Sequence, residues 1–192
     1  EAAGAAVAIV SRGDKAVFGT GQSFSGASGT SSGAPQNVYG TGKNASGGSR
    51  TMSGELVFHF LWPEKNSVIT GNDASLTAAV SYETFTGLLT GDISSDMEGA
   101  IDFPDHITWL KTAHHGSKYS TSRKFLQKTA PLTATAGAGR RNVYGHPAEE
   151  TRERFRDAGT AFFCTADCGA VTVTFRNDTV QVKTFLDNKA GK

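Results

Sequence analysis

At 192 residues, 38% hydrophobic and 19% charged, the chain has enough apolar material for one folded domain, and a second complete domain is not expected. A formal net charge of +1 excludes the bulk attraction to nucleic acid or acidic membrane that a strongly basic chain would have, so any such partner must be met at a local site. No apolar run approaches the roughly 18–20 residues that cross a bilayer, and residues 1–10 lack the charged start and cleavage pattern of a signal peptide. The expectation is a single soluble domain over 1–192, and a start at Glu1 rather than methionine suggests a fragment or a processed chain.

Residues 5–10 and 15–18 read as a hairpin turning at Ser11-Arg12-Gly13-Asp14. From about Gly19 to Gly54, Gly, Ser, Thr, Ala and Asn dominate and large apolar residues are almost missing, which predicts a long loop of unusual length for a compact domain. A strand is expected over Glu55–Leu61, ending at Trp62-Pro63, and Ser75–Ser81 pairs naturally with 84–90 around Tyr82-Glu83. Asp92 follows that strand, and Ser95-Asp96-Met97-Glu98 has the Ser-x-x-Glu form of a capping box, predicting a short helix. The buried-strand pattern 107–113 ends at His114-His115. Ser120 or Thr121 should cap a helix running to about Lys128, and Leu132–Ala136 reads as a strand. Pro147 suits the first turn of a helix over Ala148–Asp157 that Gly159 terminates, and 161–164, 170–175 and 179–185 read as closing strands. A strand-rich first half followed by alternating strands and helices favours a layered α/β sandwich.

An acidic residue at the end of one apolar run and a double histidine at the end of the next put metal-ligand chemistry at neighbouring strand ends. Asp92, His114 and His115 together suit Zn²⁺, Mn²⁺ or Fe, although Asp92 could instead cap the helix near Ser95 while the histidines bond to backbone. Asn142-Val143-Tyr144-Gly145-His146-Pro147 adds a further imidazole just before a helix start, where an anion or phosphate is favoured. Arg140 and Arg141 could grip phosphate or simply be an exposed basic pair. Ser117 and Ser120 beside the histidines invite a Ser/His hydrolase reading, but no Gly-x-Ser-x-Gly elbow is present. Gly40-Thr41-Gly42-Lys43-Asn44 resembles the tail of a phosphate loop and fails at Asn44 and at Asn37. Cys164 and Cys168 flank a Thr-Ala-Asp turn, either as a disulfide or as ordinary small residues, and no second pair follows to make a zinc site.

Taken together, Asn72-Asp73-Ala74-Ser75-Leu76, Leu88-Leu89-Thr90-Gly91-Asp92, Ala113-His114-His115-Gly116-Ser117 with Ser120-Thr121-Ser122, and Asn142-x-Tyr144-Gly145-His146-Pro147 resemble one family. It is the metallo-β-lactamase-like C-terminal domain of ComEC-type competence proteins, the membrane channels for DNA uptake. The resemblance covers about residues 55–175 and includes Phe60-Leu61-Trp62-Pro63, Ala158-Gly159 and Thr165-Ala-Asp-Cys-Gly-Ala-Val. The hairpin at 5–18 is similar to the family's opening strands, with Gly19 where Asp usually precedes Thr-Gly.

The resemblance implies a layered αββα sandwich, incomplete in its N-terminal half, and a metal-dependent phosphodiesterase that degrades the non-transported, single DNA strand. It implies a soluble domain attached to the channel part of a bacterial inner-membrane protein. By matching positions, Asp92 would bridge metals and a histidine of 114/115, with His115 favoured, would complete the second metal site. Asn72, Ser117 and His146 would shape the pocket or hold the scissile phosphate, with Arg140, Arg141 and Asn142 beside it. The family's His-x-His-x-Asp-His signature is absent, since no histidine occurs before His59. The expected Mn²⁺ or Zn²⁺ is therefore weakly bound or lost. A non-catalytic binding or structural module on the same fold, or a hydrolase of small esters, amides or cyclic nucleotides, are the rivals.

Overall fold

Alternation along each strand decides which of two cores a side chain enters. In the computed structural model, which describes residues 6–11, 16–21, 56–176 and 178–186, ten strands form two sheets. β1 (Ala6–Ser11), β2 (Ala16–Gly21), β9 (Val171–Arg176) and β10 (Thr179–Thr184) make an antiparallel sheet in the order β1-β2-β9-β10. β3 (Val57–Trp62), β4 (Thr77–Tyr82), β5 (Phe85–Leu89), β6 (Trp109–Lys111), β7 (Thr133–Ala136) and β8 (Ala161–Cys164) make a mixed sheet in sequence order. In the mixed sheet β3-β4-β5 are antiparallel, whereas β5, β6, β7 and β8 run parallel.

The mixed sheet is covered on both faces, which is why most side chains of its central strands are buried. On one face Val80, Phe85 and Trp109 meet Val171, Val173 and Phe175 of the antiparallel sheet. On the other, Ala79, Leu88, Leu110 and Ala134 meet Phe125 and Leu126 of α1 (Arg123–Thr129) and Phe155 of α2 (Glu149–Asp157). Neighbouring residues such as Ala79 and Val80 thus serve opposite cores, as the pleat requires. Leu88, Leu110 and Phe155 are fully buried, each contributing about 1.5–3 kcal/mol of transfer free energy. The described layers are helix, mixed sheet and antiparallel sheet, a mixed α/β architecture.

The hairpin expected near the start is β1-β2, with β2 reaching Gly21; the turn at 12–15 and the Gly/Ser-rich stretch from 22 to 54, with its loop expectation and the Gly40–Asn44 motif, lie outside the described residues. Ser122, not Ser120 or Thr121, caps α1, its hydroxyl accepting from the Phe125 N–H at 3.1 Å. Pro147 stands one residue ahead of the α2 cap Ala148 rather than inside the first turn. Glu149 and Glu150 open α2 and Arg154 and Arg156 close it, complementing the helix dipole. Cys164 and Cys168 are buried free thiols bracketing the one-turn α3 (Thr165–Cys168), and burial pushes the Cys164 thiol up from its ordinary pKa.

The capping-box expectation also fails. No helix forms at Ser95; residues 95–100 are turns, and the Ser95 N–H donates to the Tyr119 carbonyl at 2.8 Å. Glu98 is used across the fold instead of locally. Its carboxylate accepts the Thr121 N–H at 2.5 Å and the Ser122 N–H at 3.0 Å, satisfying the start of α1 and fixing the loop that follows the histidines. Replacing Glu98 by Ala leaves these N–H groups without their partner and should lower unfolding stability by about 1–3 kcal/mol in urea titration. Burial raises the Glu98 pKa above the usual carboxylate value, so the folded state holds the proton more tightly than the unfolded chain. Its contribution to stability is therefore fullest below the ordinary value of 4.5 and is lost as pH rises through the raised folded value. The urea midpoint should show that component in the wild type and lack it in Glu98→Ala.

Candidate functional site

Parallel pairing in register brings the carboxyl ends of β5, β6 and β7 to one edge of the mixed sheet, the usual place for a site in open α/β sheets. The loops leaving them carry Asp92, the turn Ala113–Gly116, and residues 137–147 respectively. They are laced together through backbone. The His114 N–H donates to the Gly91 carbonyl at 3.0 Å, the Ala148 N–H to the Gly116 carbonyl at 2.9 Å, and the Asp92 N–H to Ser75 Oγ at 3.0 Å. Ser75 Oγ in turn donates to the Asn72 carbonyl at 2.6 Å, so the loop before β4 belongs to the same assembly.

The turn Ala113–Gly116 is left-handed. His114 has φ 46° and ψ 44°, His115 has φ 54° and ψ 19°, and Gly116 has φ 88°. Each left-handed L-residue costs roughly 1–2 kcal/mol, and strain of this kind survives only where the surroundings fix it. Here the surroundings are specific. A Cβ on Gly116 would lie 2.5 Å from Pro147 Cβ, and one on Gly91 (φ 55°) would lie 2.5 Å from Ser75 Cβ. Both glycines thus permit backbone approaches that draw the loops together.

Handedness turns the two imidazoles in different directions. His115 Nδ1 lies 2.7 Å from the Gly137 carbonyl, an arrangement that makes it the protonated nitrogen and leaves Nε2 as a lone-pair donor. Nε2 faces Asp92, at 3.9 Å from Oδ1. The His114 ring instead meets His146 edge-to-face, with centroids 5.6 Å apart, and its nitrogens lie 3.5 Å from the Asn72 amide. Tyr144 stacks on the His146 ring at 5.9 Å. Desolvation, then the neighbouring His114 and His115, lower the His146 pKa, and Asp92 partly opposes them.

The remaining sequence-derived candidates lie on the same loops and make contacts of their own. Ser117 is buried, its Oγ accepting the Tyr119 N–H at 3.3 Å, and no contact places it against Asp92 or His115. Asn142 braces its own loop, donating to the Gly139 and His146 carbonyls and accepting the His146 N–H at 2.8 Å. Arg140 and Arg141 are exposed on that loop, with Arg140 Nε 3.4 Å from the Ala166 carbonyl. Lys111 is a further residue at this edge that motif spacing does not single out. It is buried at the end of β6, its ammonium donates to the Thr112 carbonyl at 2.9 Å, and burial lowers its pKa while Asp92 opposes the shift. The available signal was a lysine inside the apolar run 107–113. A cleft lined by Thr84, Thr108, Leu132 and Ala161 lies at the amino-terminal ends of β5–β8, away from the histidines.

Asp92 and His115 are suitable donors for a divalent metal, but a catalytic zinc takes three protein ligands, and no cluster of three or more His, Cys, Asp or Glu among the described residues is arranged to hold one. All five histidines of the chain, His59, His106, His114, His115 and His146, are described. The described residues therefore do not compose a complete centre.

Fold and site together define a mixed α/β protein with an Asp/His site at its parallel strand ends. No family model matches the chain. It is similar to ComE operon protein 3 of Bacillus subtilis, 31% identical over 126 residues that cover 64% of this chain and 16% of that protein. It is also similar to the uncharacterized protein YcaI of Escherichia coli (32% identical; 62% of this chain, 16% of that protein). Competence protein ComA of Neisseria gonorrhoeae is 32% identical over 59% of this chain and 17% of its own length. The chain thus spans only 16–17% of the length of these relatives. Among the described residues no helix is long and apolar enough to cross a membrane.

Gly116→Ala tests the packed turn. It should lower stability by at least about 1–2 kcal/mol in thermal unfolding, because a left-handed alanine is strained even before the Pro147 overlap is counted. Nitrogen NMR of His115 should find Nδ1 protonated and Nε2 bare in the neutral ring.

Proposed function

We propose that the chain acts in DNA uptake as a metallo-β-lactamase-like domain of the nuclease type, a metal-dependent phosphodiesterase working on the strand that is not transported. The observation that carries this reading is the His115 imidazole, held through Nδ1 by Gly137 with Nε2 facing Asp92 at the strand ends. The similarity to competence protein ComA and to ComE operon protein 3 supports the DNA-uptake part, and helices and sheet packed on the two faces of the mixed sheet support the fold. The parent protein would attach the domain to a bacterial inner-membrane channel.

The chain's own residues would prepare the site for phosphate. Asn72, beside His114, and His146 present polar groups around the Asp92–His115 pair, and the buried amine of Lys111 interacts electrostatically with Asp92. With half of the donor set, Mn²⁺ or Zn²⁺ should bind weakly. The purified chain should carry substoichiometric metal by elemental analysis, and a tightly bound dinuclear complement would overturn that expectation.

Cleavage of single-stranded DNA with added Mn²⁺ tests the activity. Slow cleavage that falls at least about tenfold in Asp92→Ala is the expected result. Equal background in both proteins would instead favour a second reading, a non-catalytic DNA-binding or structural module, for which the incomplete donor set speaks.

A further inference from the structure

The three rings that leave the Asp92–His115 pair run outward in contact with one another. His114 meets His146 at 5.6 Å, His146 meets Tyr144 at 5.9 Å with planes 21° apart, and Tyr144 is 69% exposed. The tyrosine ring lies nearly parallel to the imidazole, and most of the residue is open to solvent. Its loop is braced rather than slack, because Asn142 grips both the Gly139 carbonyl and the two backbone groups of His146. Val143 is 91% exposed beside it, and Arg140 and Arg141 lie just upstream on the same loop. A largely exposed aromatic on a braced loop that also carries two arginines matches what an unpaired nucleotide offers, a flat base and a phosphate.

We propose that Tyr144, stacked on His146, is a base-stacking residue that receives a nucleotide of a single strand beside the Asp92–His115 pair and makes the site prefer single-stranded to duplex DNA. This deepens the proposed function and rests on it for the choice of DNA. Duplex bases are already stacked and paired, so they present no free face to the ring. Arg140 and Arg141 would meet the flanking phosphates, a contribution that salt screens while stacking persists.

Fluorescence anisotropy of labelled oligonucleotides tests the assignment, using the whole chain as wild type, Tyr144→Ala, Tyr144→Phe and the double variant Arg140→Ala/Arg141→Ala. Tyr144→Ala should bind single strands roughly 5- to 150-fold more weakly at moderate salt, and Tyr144→Phe within about twofold of wild type. An oligonucleotide of abasic sugars, which keeps every phosphate, should bind wild type and Tyr144→Ala alike. Full affinity in Tyr144→Ala, or the same loss on the abasic strand, overturns the stacking role. Should that happen while Asp92-dependent cleavage persists, only this inference falls. Tyr144-dependent binding without Asp92-dependent cleavage leaves it standing and removes the catalytic reading. A wild type that prefers duplex, or binds no single strand, removes the stacking role.

Discussion

The parallel pairings of Gly87 with Trp109, Trp109 with Thr133 and Thr133 with Ala161 fix where the rest of the site can be. They bring successive strands to the same edge with the same polarity, so each connection must cross a face of the sheet and re-enter at the far side. The crossings include α1 and α2, whose Phe125, Leu126 and Phe155 fill one core. The exits carry Asp92, the histidine turn and the 137–147 loop. Burial of the sheet on both faces holds that register, because slipping a strand by one residue would exchange Leu110 with Trp109 between two differently shaped cores.

At the exits, packing energy is converted into geometry. Consecutive left-handed histidines would relax in an isolated peptide; here Gly91 and Gly116 let neighbouring backbones close around them. The result separates two chemically identical side chains. His115 is turned toward the carboxylate and His114 toward another imidazole and an amide. Burial of Lys111 at the end of β6 lowers the pKa of its amine, and the nearby Asp92 carboxylate opposes that shift.

Strand positions were legible because alternation and turn residues act locally, and so were Asp92 and the double histidine as reactive types at the ends of apolar runs. What could not be read were the partners. Ser95-x-x-Glu98 satisfies a local helix rule, yet Glu98 serves the Thr121 and Ser122 N–H groups 23 and 24 residues away. Thr121 looked like a helix cap, but with φ 59° and its N–H given to Glu98 it is the residue before one. The choice between His114 and His115 depended on a left-handed turn that no spacing encodes. Asn142 and Ser117, read as pocket residues, also engage nearby backbone through their polar side-chain atoms, contacts that spacing does not encode.

Arg154 on α2 reaches back to the Lys118 and Ser120 carbonyls at 2.9 and 3.1 Å and to Thr151, whose hydroxyl holds the Ser117 carbonyl. One side of α2 therefore clamps the segment leaving the histidines, while Glu153 and Arg156 on its exposed surface make no such contact. In mutational terms the helix has a split tolerance. Exchanges at its outer positions should pass unnoticed, whereas Thr151 and Arg154, which touch none of the rings, would be among the least replaceable positions in the chain.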